Sequence, residues 1–179
     1  MTVAALRGHR PEVLDDLLAR YGRELQGVAY LILRDRAAAE DVVVDTLLTA
    51  LERGDQLRDE TSLRAWLLRI ATNRALGVRR SGARVIALTV VPDRAGRPTD
   101  EDERLATLAA VERLAPRMRA AVILRYYADM PVRDVAETLG TSENTVKTQL
   151  REALAQLRTT LGDADGLDAR AGTAEVLHG

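Results

Sequence analysis

Any chemistry in this chain must come from carboxylates, hydroxyls, amides and arginines. It has no cysteine, and its only two histidines, His9 and His178, lie in the terminal segments. Thiol nucleophiles, thiolate metal sites and disulfides are therefore excluded. Asp41 and Asp45 are spaced to stack one turn apart on a helix. Such a pair could hold a cation, as in a carboxylate metal hydrolase. No histidine is placed to complete the site, and no glycine-rich loop offers to cradle a phosphate. An enzyme is thus the weakest reading, and no catalytic residue, metal or cofactor is expected.

Residues 130–157 carry a more specific pattern. Pro131 suits a helix start, since its fixed φ fits there and its missing N–H would be unpaired anyway. Val132, Val135, Ala136 and Leu139 share one face, and Gly140 can take the left-handed turn that ends a helix. Ser142 is a good N-cap for a second helix whose apolar residues are Val146, Leu150, Ala153, Leu154 and Leu157. This is the layout of a DNA-binding helix-turn-helix. It also fits an antiparallel helix pair in any small helical protein.

The elements around it are helical throughout. Phe is absent and aromatics make up 3% of 179 residues, so the core rests on Leu, Val, Ile and Ala. Residues 1–10 read as a loose leader. From Pro11 a long helix carries Leu14, Leu17, Leu18, Tyr21, Leu25, Val28 and Ile32 at helical spacing. Arg34-Asp35-Arg36 breaks it. A second helix spans residues 37–52, with Val43, Leu47, Ala50 and Leu51 inward and Glu40, Asp41, Val44 and Asp45 on its other face. Residues 54–60 form a polar loop, and Thr61 or Ser62 caps a third helix over residues 63–80. Its inner face is Leu63, Trp66, Leu67, Ile70 and Ala71. Arg64, Arg69, Thr72, Asn73, Arg79 and Arg80 point elsewhere.

Residues 81–103 hold Gly82, Pro92, Gly96 and Pro98 and read as a flexible linker. Inside it, the β-prone apolar run from 85 to 91 needs something to dock on. Two helices follow within residues 104–127, the first with Leu105, Leu108, Val111 and Leu114, the second with Met118, Val122, Ile123 and Tyr126. The helix-turn-helix ends near residue 161, and residues 162–179 read as a disordered tail. The expected fold is all-α: two small helical domains, residues 11–80 and 104–161. No apolar run reaches the ~18 residues of a membrane span, so membrane insertion is not expected and a cytoplasmic protein is.

A net charge of −1 argues at first against a nucleic-acid binder, but the signs are separated along the chain. Acids dominate residues 40–60. From 64 to 84 the only charges are basic, and the run Asp100-Glu101-Asp102-Glu103 follows. One surface can meet a basic protein and another a phosphate backbone, although a solvated face explains a charge run as well.

Three stretches then point to a family. They are Ala39-Glu40-Asp41-Val42-Val43-Val44-Asp45, Ser62-Leu63-Arg64-Ala65-Trp66-Leu67-Leu68-Arg69-Ile70-Ala71-Thr72-Asn73, and Leu124-Arg125-Tyr126-Tyr127 leading into the helix-turn-helix. In this order, the chain resembles a bacterial RNA polymerase sigma factor of the compact extracytoplasmic-function (ECF) group, which has only regions 2 and 4. The likeness covers about residues 11–161. It implies a region 2 bundle that docks on the β′ clamp helices of core polymerase through Glu40, Asp41, Val44 and Asp45. Where the family usually has Gln-Glu, this chain has Val44-Asp45, so one hydrogen-bonding side chain is missing.

The same resemblance assigns recognition and melting of the −10 element to the basic helix. Asn73 would sit near the pocket for an extruded base, and Arg64, Arg69, Arg79 and Arg80 would bind phosphate. Spacing with Leu63 and Ile70 places Trp66 in the core rather than at a melting wedge. Region 4 would read the −35 element with Ser142, Glu143, Asn144, Lys147, Thr148 and Arg151 and meet the β flap. Further along this helix the family commonly carries several basic residues, whereas this chain has Gln149, Glu152, Leu154 and Gln156. Promoter DNA, core polymerase and an anti-sigma protein are the partners the resemblance implies. Ser142-Glu143-Asn144-Thr145-Val146-Lys147-Thr148 also resembles the helix-turn-helix of LuxR-type regulators, which act without sigma activity. These usually carry a receiver domain of alternating strands and helices.

Overall fold

The computed structural model describes residues 12–57, 62–81 and 100–161. The leader, the end of the loop at residues 58–61, the apolar run at 85–91 and the tail from 162 lie outside the described residues. Among the described residues there are seven α-helices and no strand. The chain divides into two compact units, one within Met1–Arg84 and one within Val85–Gly179.

In the first unit, α1 (Glu12–Leu33), α2 (Arg36–Glu52) and α3 (Leu63–Arg80) pack against one another. The seam of α1 is Val13, Leu17, Leu25, Val28 and Ile32, all buried. Leu18, which belongs to the same apolar series, is instead 51% exposed. It lies along its own helix over Gly22, where a Cβ would sit 2.8 Å from its Cδ1. The break after α1 has a defined geometry. Arg34 adopts a left-handed φ of 58°, and the Asp35 carboxylate caps α2 by accepting the Ala38 N–H at 3.0 Å.

α2 buries Ala39, Val42, Val43, Thr46, Leu47, Thr49 and Ala50. The Thr46 and Thr49 hydroxyls donate to carbonyls one turn back, those of Val42 at 2.7 Å and Asp45 at 2.8 Å, so neither is an unpaired polar group in the core. A 3-10 turn over Gly54–Gln56 follows, and the loop read as polar is pinned by Leu57, which is buried. α3 keeps the expected bounds, although the Ser62 side chain makes no capping hydrogen bond. Its buried stripe is Leu63, Leu67, Leu68, Ala71, Thr72, Ala75 and Leu76. Trp66 and Ile70 are half-buried at the edge of that stripe, and Thr72 is inside rather than outside it. The stripe is rotated by the need to face two helices, α1 and α2, at once.

In the second unit α4 spans Asp100–Arg113, so the acidic run that reads as linker is helical. Arg104 donates to both Glu101 oxygens, at 2.9 and 2.7 Å, and this holds the Glu101 carboxyl below its ordinary range. α5 (Pro116–Val122) begins on a proline and widens into a π turn over Ile123–Tyr127, where Ala128 N–H reaches the Ile123 carbonyl at 3.0 Å. α6 (Val132–Leu139) and α7 (Glu143–Leu161) complete the unit. α4, α5 and α6 all pack on α7 through its buried Val146, Leu150, Ala153 and Leu157. Full burial of a Val or Leu side chain contributes roughly 1.5–3 kcal/mol.

Candidate functional site

Three surfaces carry the residues of interest. On α2, Glu40, Asp41, Val44 and Asp45 form one exposed stripe, because positions one and four residues apart share a face. Glu40 accepts from Arg36 at 3.2 Å and from Gln26 of α1 at 3.4 Å. Asp45 pairs with Arg74 of α3 at 2.8 Å. Asp41 has no hydrogen-bond or ion-pair partner among the described residues, and Val44 is 57% exposed. The stripe continues into Leu48, which is also exposed. A face that mixes free carboxylate with apolar side chains suits a partner offering cations on an apolar surface. Leu48 is legible from the 40, 44, 48 spacing, but Arg74 is not, since nothing local ties it to Asp45.

Beside the stripe, a shallow cleft of about 360 Å³ runs between α2 and α3. Ala38, Val42, Gly77 and Val78 line its apolar part, and Asp41, Asp45 and Arg74 its polar part. Among the described residues no three His, Cys, Asp or Glu side chains are grouped to hold a metal ion.

α3 presents its polar residues unevenly. Asn73 and Arg80 are exposed, and Arg80 Nε also donates to the Leu76 carbonyl at 3.3 Å. Arg64 forks onto the Glu24 carboxylate of α1, with Nε 3.1 Å from one oxygen. Arg79 donates to the Ile32 carbonyl at 3.1 Å, the end of α1 where a cation is favoured. Arg69 is half-buried. Two of the five arginines of α3 therefore join α1 to α3, and the outward set is Asn73 and Arg80 with Arg74 beside them.

In the second unit the turn between α6 and α7 is closed at both sides. Gly140 sits at φ 61°, its N–H reaching the Glu137 carbonyl at 3.3 Å, and Thr141 N–H reaches Ala136 at 3.0 Å. This is the Schellman closure, which needs a left-handed residue where Gly140 stands. Arg117 of α5 donates to the Leu139 carbonyl and ties the turn to the helix behind it. Ser142 Oγ accepts the Thr145 N–H at 3.1 Å, capping α7. Glu143, Asn144, Lys147 and Arg151 are exposed and Thr148 is half-buried, all on one side of the helix opposite Val146 and Leu150. Lys147 and Glu143 lie 3.9 Å apart, a loose pair that leaves both heads available.

Comparison with known proteins accounts for both units. The Sigma-70 region 2 family matches residues 17–85 and the Sigma-70, region 4 family matches residues 104–157. The ECF RNA polymerase sigma factor SigL of Mycobacterium tuberculosis is 34% identical over 154 residues, covering 81% of this chain and 82% of SigL. SigG of the same organism is 34% identical over 170 residues, 78% of this chain but only 46% of SigG, so the chain spans about half the length of that relative. In fold it is similar to the sigma factor RpoE of Bartonella quintana, solved with the anti-sigma factor NepR (TM-score 0.69, 23% identity, 88% of this chain and 100% of RpoE). It is also similar to CnrH, solved with the cytosolic domain of CnrY (TM-score 0.68, 24% identity, 92% and 96%). With both regions matched in order and a relative aligned over four-fifths of each chain, this protein belongs to the ECF sigma factors of RNA polymerase.

Proposed function

We propose that this chain is a promoter-specificity subunit: it recruits core RNA polymerase, opens the −10 element with its first unit and reads the −35 element with its second. It adds no catalysis of its own and works where polymerase works, in the cytoplasm. The observation that carries this reading is the α2 stripe, whose Glu40, Asp41, Val44 and Asp45 are all exposed and lie outside the unit's own core. Its acidic and apolar mixture fits the β′ clamp helices. Residues 11–80 would be the docking and −10 domain. Residues 104–161, together with the α4 residues 100–103, would be the −35 domain that meets the β flap.

Asn73 would hold a base edge and the outward arginines of α3 the phosphates around it. On α7, Asn144 would pair with a base, Lys147 and Arg151 with guanine or phosphate, and Glu143 with cytosine. Gln149, Glu152 and Gln156 further along the helix make few phosphate contacts, so this half alone binds DNA weakly. Held beside the first unit on polymerase, it contributes through effective concentration. An anti-sigma protein is a further partner: the fold neighbour RpoE was solved with the anti-sigma factor NepR, and CnrH with the cytosolic domain of CnrY. The LuxR-type alternative has less support, because the described residues of the first unit are three packed helices where a receiver would have alternating strands.

The deciding experiment is transcription in vitro with purified core enzyme on genomic fragments. Transcripts that start only when this protein is present are expected, with little DNA binding by the protein alone. Absence of any such transcript, together with no association with core, would overturn the reading.

A further inference from the structure

Arg74 occupies an unusual position between the two surfaces of the first unit. From α3 its guanidinium donates to the Asp45 carboxylate at 2.8 Å and to the Thr49 hydroxyl at 2.8 Å. The Thr49 hydroxyl in turn donates to the Asp45 backbone carbonyl at 2.8 Å, which leaves its lone pairs facing Arg74. The two acceptors lie one turn apart on α2, so the planar fork of the guanidinium spans them. Asp45 is thereby held toward α3, while Asp41, one turn earlier, stays without a partner. Both members of the pair are about half exposed, 41% for Arg74 and 54% for Asp45. An ion pair that open to water is weak and easily exchanged.

We propose that Arg74 is a positioning residue that serves as an internal counter-ion to the docking face and changes partner when the chain binds polymerase. This rests on the reading of the α2 stripe as the docking surface. A basic side chain of the partner, its stem lying along Ala38, Val42 and Val78 and its head between Asp41 and Asp45, takes the place of Arg74 on Asp45. The released guanidinium, next in sequence to the exposed Asn73, then binds a phosphate of the −10 strand. The cleft already accepts one guanidinium, its own, which shows the chemistry it recognises. Docking and DNA contact are thus linked through one side chain, and the free chain keeps that cation away from DNA.

The test uses the full chain and core RNA polymerase. Arg74→Met keeps the apolar stem and removes the competing charge. It is expected to bind core roughly two- to fivefold tighter than wild type. In an Asp45→Asn background the same substitution is expected to change core binding by nothing measurable. Thr49→Val, which removes one of the two bonds, shifts docking in the same direction by less. In the polymerase complex, Arg74→Met lowers affinity for a −10 strand and reduces the salt slope by about one. Weaker docking by Arg74→Met, or a gain that survives in Asp45→Asn, would overturn the exchange. Wild type failing to bind core would instead remove the docking reading beneath it.

Discussion

Arg64 at the start of α3 forks onto the Glu24 carboxylate of α1, forty residues back in the chain. Its side chain is 42% exposed and that of Glu24 27%, so this is a partly shielded bidentate pair rather than a loose surface contact. Its first role is to fasten two helices of the bundle. Arg64→Ala and Glu24→Gln are each expected to lower stability by about 1 kcal/mol, discounted for solvent screening. The double variant should lose no more than either one, because each alone already removes the pair. Urea denaturation of the four proteins checks this, and simple addition of the two losses would show that the fork contributes nothing.

Asp41 offers a cleaner probe of docking than its neighbours. Glu40 is engaged by Arg36 and Gln26, and Asp45 by Arg74, whereas Asp41 is exposed with no partner among the described residues. Asp41→Arg should therefore leave the melting transition within about 0.5 kcal/mol of wild type. Against a basic partner it places like charges together, and core binding should fall by about tenfold or more. Normal core binding by this variant would mean that the docking surface lies elsewhere.

Much of this was legible from periodicity. The bounds of α3, the left-handed Gly140, the Ser142 cap and the outward stripe of α2 all follow from local rules that act within one or two turns. What was not legible depends on partners distant in sequence. Spacing placed Arg64 and Arg79 on a polar face but could not show that Glu24 and the Ile32 carbonyl stand opposite them. Spacing puts Leu18 with the buried series, but its burial is decided by which side of α1 meets α2 and α3. The acids at Asp100–Glu103 read as a solvated linker, yet they lie in α4, where Glu101 pairs with Arg104 one turn on. Nothing in residues 119–127 announces a buried Arg119 or a π turn.

Gly140 tests the closure of the helix-turn-helix. A Cβ built there meets nothing within 4 Å, so substitution costs nothing in space. The φ of 61° is the only penalty. Gly140→Ala should destabilise the second unit by about 1 kcal/mol, the strain of a left-handed alanine. Gly140→Asn should lose less, since asparagine tolerates this region. Equal losses for the two, read from urea midpoints, would place the cost in a contact instead of the backbone.

On α7 the exposed polar residues divide by chemistry, and the division can be measured. Asn144 stands in the first turn beyond the Ser142 cap, the part of α7 proposed to face the bases, and its amide offers a donor and an acceptor together. Asn144→Ala in the polymerase complex should cost about 1–3 kcal/mol on the preferred −35 sequence and relax discrimination at one base pair. Arg151 lies two turns further on, where in the proposed docking it would meet the phosphate backbone. Arg151→Ala should weaken all sequences alike and reduce the salt slope by about one. The measurement is promoter affinity across salt concentrations on a set of single-base variants. If Arg151→Ala changed base preference while Asn144→Ala changed only the salt slope, the helix would be docked the other way round.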